Sequence, residues 1–176
     1  MDGYIHTYSG KMFDPLAPEA HLIDIRDIAH ALSMQARFAG HTRDFYSVAE
    51  HSVRVSMACA NGDALAGLMH DAAEAYLTDM PKPVKNGMPE FEAAEDRLLA
   101  CIAGVFGFPA QLPASVKRAD VLLLNTEARD LLSGNVGWAD KDNVQPRNIR
   151  PLDHRAAEGW FLERFRALTK VKAAVA

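Results

Sequence analysis

Ala64-Leu65-Ala66-Gly67-Leu68-Met69-His70-Asp71-Ala72-Ala73-Glu74-Ala75-Tyr76-Leu77 is the stretch on which the fold turns. Its length and apolar content predict one buried helix over about 64–77, with His70 and Asp71 in its middle. Adjacent helical residues point about 100° apart, so His70 and Asp71 can both reach a centre at the helix edge, but neither completes a site. Glu74 lies four residues after His70 and three after Asp71, on that same edge. Asp79-Met80-Pro81-Lys82-Pro83 then stops the helix, because each proline removes a backbone donor and restricts the residue before it. A buried His-Asp pair can satisfy its own hydrogen bonds, so the dipeptide acquires meaning only through what surrounds it.

Upstream, Ser47-Val48-Ala49-Glu50 has the form of a capping box. The helix it opens carries Val48, Ser52, Val55 and Cys59 on one stripe, and His51 sits on that stripe until Asn61-Gly62-Asp63 ends the run. A shorter helix begins after Asp24 as N-cap, and Arg37 to Phe45 reads as a loop around Gly40. Downstream, a helix over 90–106 presents Phe91, Ala94, Leu98, Ile102 and Val105 inward. Another, over about 114–132, presents Val116, Ala119, Leu123, Leu124 and Leu131, with Asp120 on the same stripe. A long loop from Gly134 to Pro151 leads to a last helix over about 153–169. Residues 1–22 lack periodicity and read as an irregular arm. No segment alternates with period two for long, so the class is all-α, as one domain spanning 1–176.

The apolar fraction of 49% and charged fraction of 24% are those of a globular chain. A net charge of −4 supplies no basic footprint for duplex nucleic acid. The two cysteines, Cys59 and Cys101, lack metal-knuckle spacing and are expected as buried, reduced thiols. No segment is apolar enough for a signal peptide or a membrane span, which points to a cytoplasmic protein.

An unpaired carboxylate on the inward stripe of a helix is costly, and a cation is the economical partner for Asp120 and His51 alike. Two imidazoles and two carboxylates from three helices make a mixed nitrogen and oxygen site for one divalent transition metal, Zn, Co or Mn among them. Such a site leaves positions open for water and a phosphate oxygen.

The order His51, His70-Asp71, Asp120 resembles the HD superfamily of metal-dependent phosphohydrolases. Val48-Ala49-Glu50-His51-Ser52 is similar to the first-ligand helix of the bacterial 5′-deoxynucleotidases. His70-Asp71-Ala72-Ala73-Glu74, with its exit Asp79-Met80-Pro81-Lys82-Pro83-Val84-Lys85, is similar to their second-ligand segment. Val116-Lys117-Arg118-Ala119-Asp120 resembles the helix of the last ligand. The small phage dATP triphosphohydrolases share the pattern, and the resemblance covers roughly residues 24–135.

It implies an HD-domain helical bundle with His51, His70, Asp71 and Asp120 as metal ligands. Glu74 then either orients water or moves a proton, or else holds a ligand imidazole. Asp79 accepts a bond from the sugar hydroxyl or supports the water. Arg37-Phe38 lines up with an Arg-Trp pair of the nucleotide pocket, which assigns Arg37 to phosphate and Phe38 to sugar or base. Phe in place of Trp leaves the deoxy-versus-ribo preference open. Lys82, Lys85, Arg43 and His41 are further phosphate candidates, and His30 is expected to be structural.

The expected reaction is hydrolysis of a deoxynucleotide at its 5′-phosphate in a bacterial or phage-infected cell. The cations near the site and the short spacing from Asp71 to Asp120 favour a dNTP (dATP-like) triphosphohydrolase over a dNMP 5′-deoxynucleotidase. An alarmone hydrolase would carry Asp where Ala75 stands, and a non-catalytic HD scaffold would usually have lost ligands. A homo-oligomer is expected, with Phe161, Phe165 and Leu168 either at its interface or closing the core of a monomer.

Overall fold

The computed structural model describes residues 3–175, with the side chains of 171–175 left aside. Its described residues form an all-α bundle with one small hairpin. The hairpin pairs β1 (Ile5–His6) with β2 (Met12–Phe13) in antiparallel register, Ile5 opposite Phe13. Residues 1–22, expected to be irregular, are thus partly ordered. The reason lies in tertiary partners that local sequence does not reveal. The Ser9 N–H and hydroxyl donate to the buried Asp27 carboxylate at 2.6 and 2.8 Å, and Phe13 stacks on Tyr76 with centroids 4.3 Å apart.

Helix α1 (Ile25–Met34) starts where Asp24 caps the Arg26 N–H, as its sequence predicts. Helix α2 (Val48–Ala58) opens on Ser47, whose hydroxyl accepts the Glu50 N–H. The reciprocal half of the capping box does not form. The Glu50 carboxylate instead accepts from Arg54 and from the Leu152 N–H, tying the long loop to α2. Eight of its residues are buried, which makes α2 the central helix.

The helix expected over 64–77 is broken. Helix α3 (Ala64–Met69) is buried throughout, and His70 follows in helical conformation. Asp71 then leaves it at φ −101°, ψ 14°, and Ala72–Ala75 wind as a tighter 3-10 turn. The His70 ring Nδ1 stands 2.9 Å from the Gly67 carbonyl, the group an unbroken helix would offer to the Asp71 N–H. Gly67 is required for a second reason. A Cβ there would meet the Cys59 sulfur at 2.8 Å and the Ser56 Cα at 3.2 Å, so α3 could not pack onto α2. The segment leaves through Thr78, held at φ 151°.

The exit continues as the short α4 (Lys82–Lys85), and α5 (Pro89–Phe106) ends on Gly107 in the left-handed conformation. Its buried face is Ala94, Leu98, Leu99, Ile102 and Ala103. Val105 is 39% exposed and Phe91 only half-buried, so the expected inner stripe is rotated by about one residue at each end. Helix α6 (Ala114–Leu131) buries Val116, Ala119, Leu123 and Leu131 as expected, leaves Leu124 and Asp120 of the expected stripe only half-buried, and buries Asn125, Thr126 and Glu127 besides. Three polar side chains of α6 anchor the following loop: Asn125 accepts from the Asp140 N–H, Thr126 from Gln145 and Asp130 from Ile149.

Helix α7 (His154–Val175) outruns its expected end and packs on α1, α2 and α3. Phe161 is fully buried, and Phe165 meets Phe106 edge-on at 5.2 Å. Phe161 thus belongs to the core of one chain, while Phe165 packs against that core and stays half-buried. Cys59 and Cys101 are free thiols, half-buried rather than buried. Among the described residues, no helix is long and apolar enough to cross a membrane.

Candidate metal centre

Helices α2, α3 and α6 converge on one point. His51 comes from the first turn of α2, His70 and Asp71 from the break after α3, and Asp120 from α6. His51, His70 and Asp120 offer ligand atoms that all lie within 4.8 Å of one another, a cluster able to hold a metal ion. The two Nε2 atoms are 3.3 Å apart. Asp120 Oδ1 is 3.2 Å from the first and 3.9 Å from the second. Asp71 Oδ2 is 3.6 Å from His51 Nε2 and 3.2 Å from His70 Nε2. Donors bound at ~2.0–2.2 Å to one ion are spaced at about these distances along the edges of its coordination polyhedron.

The ring tautomers follow from the partners on the far side. His70 Nδ1 faces a carbonyl, so it carries the proton and leaves a lone pair on Nε2. His51 Nδ1 stands 2.6 Å from the Glu127 carboxylate, which fixes that proton in the same way. Two nitrogen lone pairs therefore face the Asp120 carboxylate, with Asp71 beside the His70 ring, a set that favours a positive charge among them. Without an ion a proton takes that place. Burial and the Arg37 guanidinium oppose a charged His51, but Glu127 and Asp120 outweigh them and push it up to about 9. Burial likewise opposes the charge on Asp120, yet the adjacent His51, then His70 and Arg37, hold it well below the usual carboxylate range.

Around this point the structure gathers most of the other expected residues. Arg37 reaches in from a tight turn in which Phe38 and Ala39 take left-handed φ values of 55° and 51°. Its Nη1 is 3.6 Å from Asp71 Oδ2, and its side chain is only 11% exposed. The Phe38 ring lies beside the same guanidinium, 5.4 Å from its carbon. Glu74 is buried, and its Oε2 has no hydrogen-bond partner. Burial first, then Asp71 and Asp79, push Glu74 well above the usual carboxylate range, with Arg37 and Lys85 offsetting only part. Among the described residues, no hydrogen bond joins Glu74 to the His51 or His70 ring, so the reading in which it holds one of these imidazoles has no bond to rest on. Burial also raises Asp79, with Asp71 adding to it.

Lys85 lies at the edge. Its ammonium pairs with Glu95 at 2.8 Å and stands 3.7 Å from Glu74. Lys82 is exposed on α4. Arg43 does not join the site. Its N–H donates to the Leu131 carbonyl and its guanidinium to that of Asp130, because the C-terminus of α6 offers unpaired carbonyls to the nearest cation. His41 is exposed, and His30 pairs with Glu158 as a structural residue.

Three residues of the site escape sequence reasoning. Glu127, fully buried, binds His51 through Oε1, accepts the Tyr46 hydroxyl at 2.9 Å on the same oxygen, and takes Arg37 Nε at 3.2 Å on Oε2. Tyr46 is fully buried as well. Gln35 donates from Nε2 to the Glu74 carbonyl and accepts the Asp79 N–H on Oε1, both at 2.9 Å, so one amide sets the span between the two acids. The signal for Glu127 was available. It lies seven residues after Asp120 and four after Leu123, on the inward stripe of α6, where a glutamate needs a partner.

The chain is 39% identical over 173 residues to the Escherichia coli K12 protein described as uncharacterized protein YfdR, covering 96% of this chain and 97% of that one. The chain belongs to the YfdR family. A second relative, an uncharacterized protein of Rhodobacter capsulatus, is 40% identical over 147 residues, covering 76% of this chain and 75% of that protein. No family model matches the chain. The match to YfdR runs nearly end to end, so the relationship takes in the hairpin and α7 as well as the segments that converge on the cluster.

Proposed function

We propose that this chain is a metal-dependent phosphohydrolase of the HD type that cleaves deoxynucleotides at the 5′-phosphate. The observation that carries the proposal is the pair of imidazole Nε2 atoms 3.3 Å apart, both with their Nδ1 sides already bonded, facing the Asp71 and Asp120 carboxylates. The fit to a divalent ion is chemical as well as geometric. Two nitrogens and two carboxylate oxygens suit Zn, Co or Mn, and they leave coordination positions for other oxygens. When bound, such an ion polarises a phosphoryl oxygen and lowers the pKa of a water beside it.

The chain's own residues supply the rest. Arg37, desolvated and permanently charged, binds a phosphate oxygen with its planar fork. Burial raises the Glu74 carboxyl above the usual carboxylate range and so favours its protonated form, and Glu74 would pass a proton to the departing sugar oxygen as water oxygen bonds to phosphorus and the P–O5′ bond breaks. Asp79 supports the attacking water or the sugar hydroxyl. Phe38 offers its ring to sugar or base. The same P–O5′ bond is broken whether the substrate is a dNTP, releasing triphosphate, or a dNMP, releasing orthophosphate.

The triphosphate reading rests on local cations and on the short span between Asp71 and Asp120. One observation favours the monophosphate as a second reading: Arg43 is spent on the end of α6 and Lys85 on Glu95, which leaves less free positive charge for a longer phosphate chain. The test is a product assay on protein stripped and reloaded with Zn, Co or Mn, incubated with the four dNTPs and four dNMPs. Deoxynucleoside plus triphosphate is expected from at least one dNTP. Deoxynucleoside and orthophosphate from monophosphates alone would select the second reading, and no product with any metal would overturn both.

A further inference from the structure

Both carboxylate oxygens of Glu127 are committed to protein partners. It is fully buried and lies 76 residues from His51, 81 from Tyr46 and 90 from Arg37, yet it bonds all three. Its two oxygens divide the work. Oε1 takes the His51 Nδ1 proton and the Tyr46 hydroxyl, while Oε2 takes Arg37 Nε. A buried charge held only for stability would gain as much from an apolar replacement of similar volume. This one spends one oxygen on an ion ligand and the other on the cation beside the ligands.

We propose that Glu127 is a positioning residue that couples the two halves of the site, fixing His51 as an ion ligand through one oxygen and setting the Arg37 guanidinium for phosphate through the other. The inference rests on the metal-centre reading above. His51 needs a partner on Nδ1 to hold its ring plane and keep the lone pair on Nε2. Arg37 is anchored on Nε by Glu127 at 3.2 Å, closer than the 3.6 Å between its Nη1 and Asp71, and its loop turns through two residues at left-handed φ. One carboxylate supplies both, so the distance between ion and phosphate site is set by the width of a single carboxyl group. The Tyr46 hydroxyl fixes the rotation of that group.

The test uses Glu127→Gln in the full chain, with two ligands that require no knowledge of the substrate. Zn(II) affinity is measured by competition with a chromogenic chelator, and inorganic phosphate affinity by calorimetry on the zinc-loaded protein. The visible absorption of the Co(II)-loaded protein reports ligand geometry without turnover. The amide of E127Q can still accept from His51 or from Arg37, but it presents an N–H₂ to the other. The expected result is a loss of roughly 10–100-fold in Zn(II) affinity, weaker phosphate binding, and an altered Co(II) spectrum. Unchanged ion affinity, phosphate affinity and spectrum, with only a lower melting temperature, would overturn the inference and leave Glu127 a structural acid. Should E127Q fail to fold, Glu127→Asp decides. It keeps the buried charge but is one methylene too short to span both partners, and unchanged binding there would overturn the inference equally. Wild-type protein that binds neither Zn(II) nor Co(II) would overturn the metal-centre reading and this inference with it. A wild type that binds both metals beside an indistinguishable variant would overturn this inference alone.

Discussion

Two clusters in this molecule contain the same kinds of residue and end in opposite chemistry. At the N-terminal hairpin, Asp27 is buried, His30 pairs with Glu158 at 3.1 Å and stacks on Tyr8 at 3.7 Å, and Ser9 occupies both Asp27 oxygens. There the Asp27 oxygens and the His30 Nδ1 all have partners within the chain. At the convergence of α2, α3 and α6, each histidine uses Nδ1 to bond protein and turns Nε2 toward the other histidine and two carboxylates. Beside them the Glu74 Oε2 is buried without a partner. Burial and residue type do not separate a structural histidine from a functional one; the balance of donors and acceptors does.

That contrast breaks most visibly at the proposed ligands. Asp71→Ala and Asp120→Ala are expected to reduce retained metal and turnover to background, measured by elemental analysis and the product assay. His30→Ala should leave both unchanged. Glu74→Gln comes next. Because Glu74 is no ligand in this arrangement, turnover should fall by about 10²–10⁴-fold while metal retention persists; loss of the metal would instead make it part of the ion site.

At the hairpin the expected effects are on stability. Asp27→Ala strands the Ser9 N–H and hydroxyl and should cost about 1–3 kcal/mol in urea unfolding, with turnover per folded molecule unaltered. The smallest effect concerns Asp24, which Arg26 and then Lys11 hold well below its ordinary value against the opposing effect of burial. A depressed carboxyl stabilises the fold above its unfolded pKa and loses that contribution as pH falls toward the folded one. Asp24→Asn keeps a cap and loses the ion pairs. It should therefore be less stable than wild type by under about 1 kcal/mol near pH 6, since the Arg26 partner is largely exposed. The gap should close as unfolding is repeated below the ordinary carboxylate range, and a constant gap would show that the cap alone matters.

The helical class, the caps at Asp24 and Ser47 and the meeting of His51, His70 and Asp120 were legible, because each depends on local pattern or on a charge placed on an apolar stripe. The break at Asp71 was not. It depends on a side chain competing for the Gly67 carbonyl, and composition alone does not report that. The order within residues 1–22 was hidden because it comes from Asp27 and Tyr76 rather than from the arm itself. Arg43 misled for a related reason. Its place in the same loop as Arg37 suggested a shared target, while the open end of α6 was nearer. Glu127 was overlooked because its meaning lies in partners more than 70 positions away.

The metal centre is tested most directly by counting ions. Protein stripped with chelator, reloaded with Zn(II) and freed of excess metal should retain one ion per chain by elemental mass spectrometry, and His70→Ala should retain none. Retention of as much zinc by His70→Ala as by the wild type, or no retention by the wild type, would contradict the site.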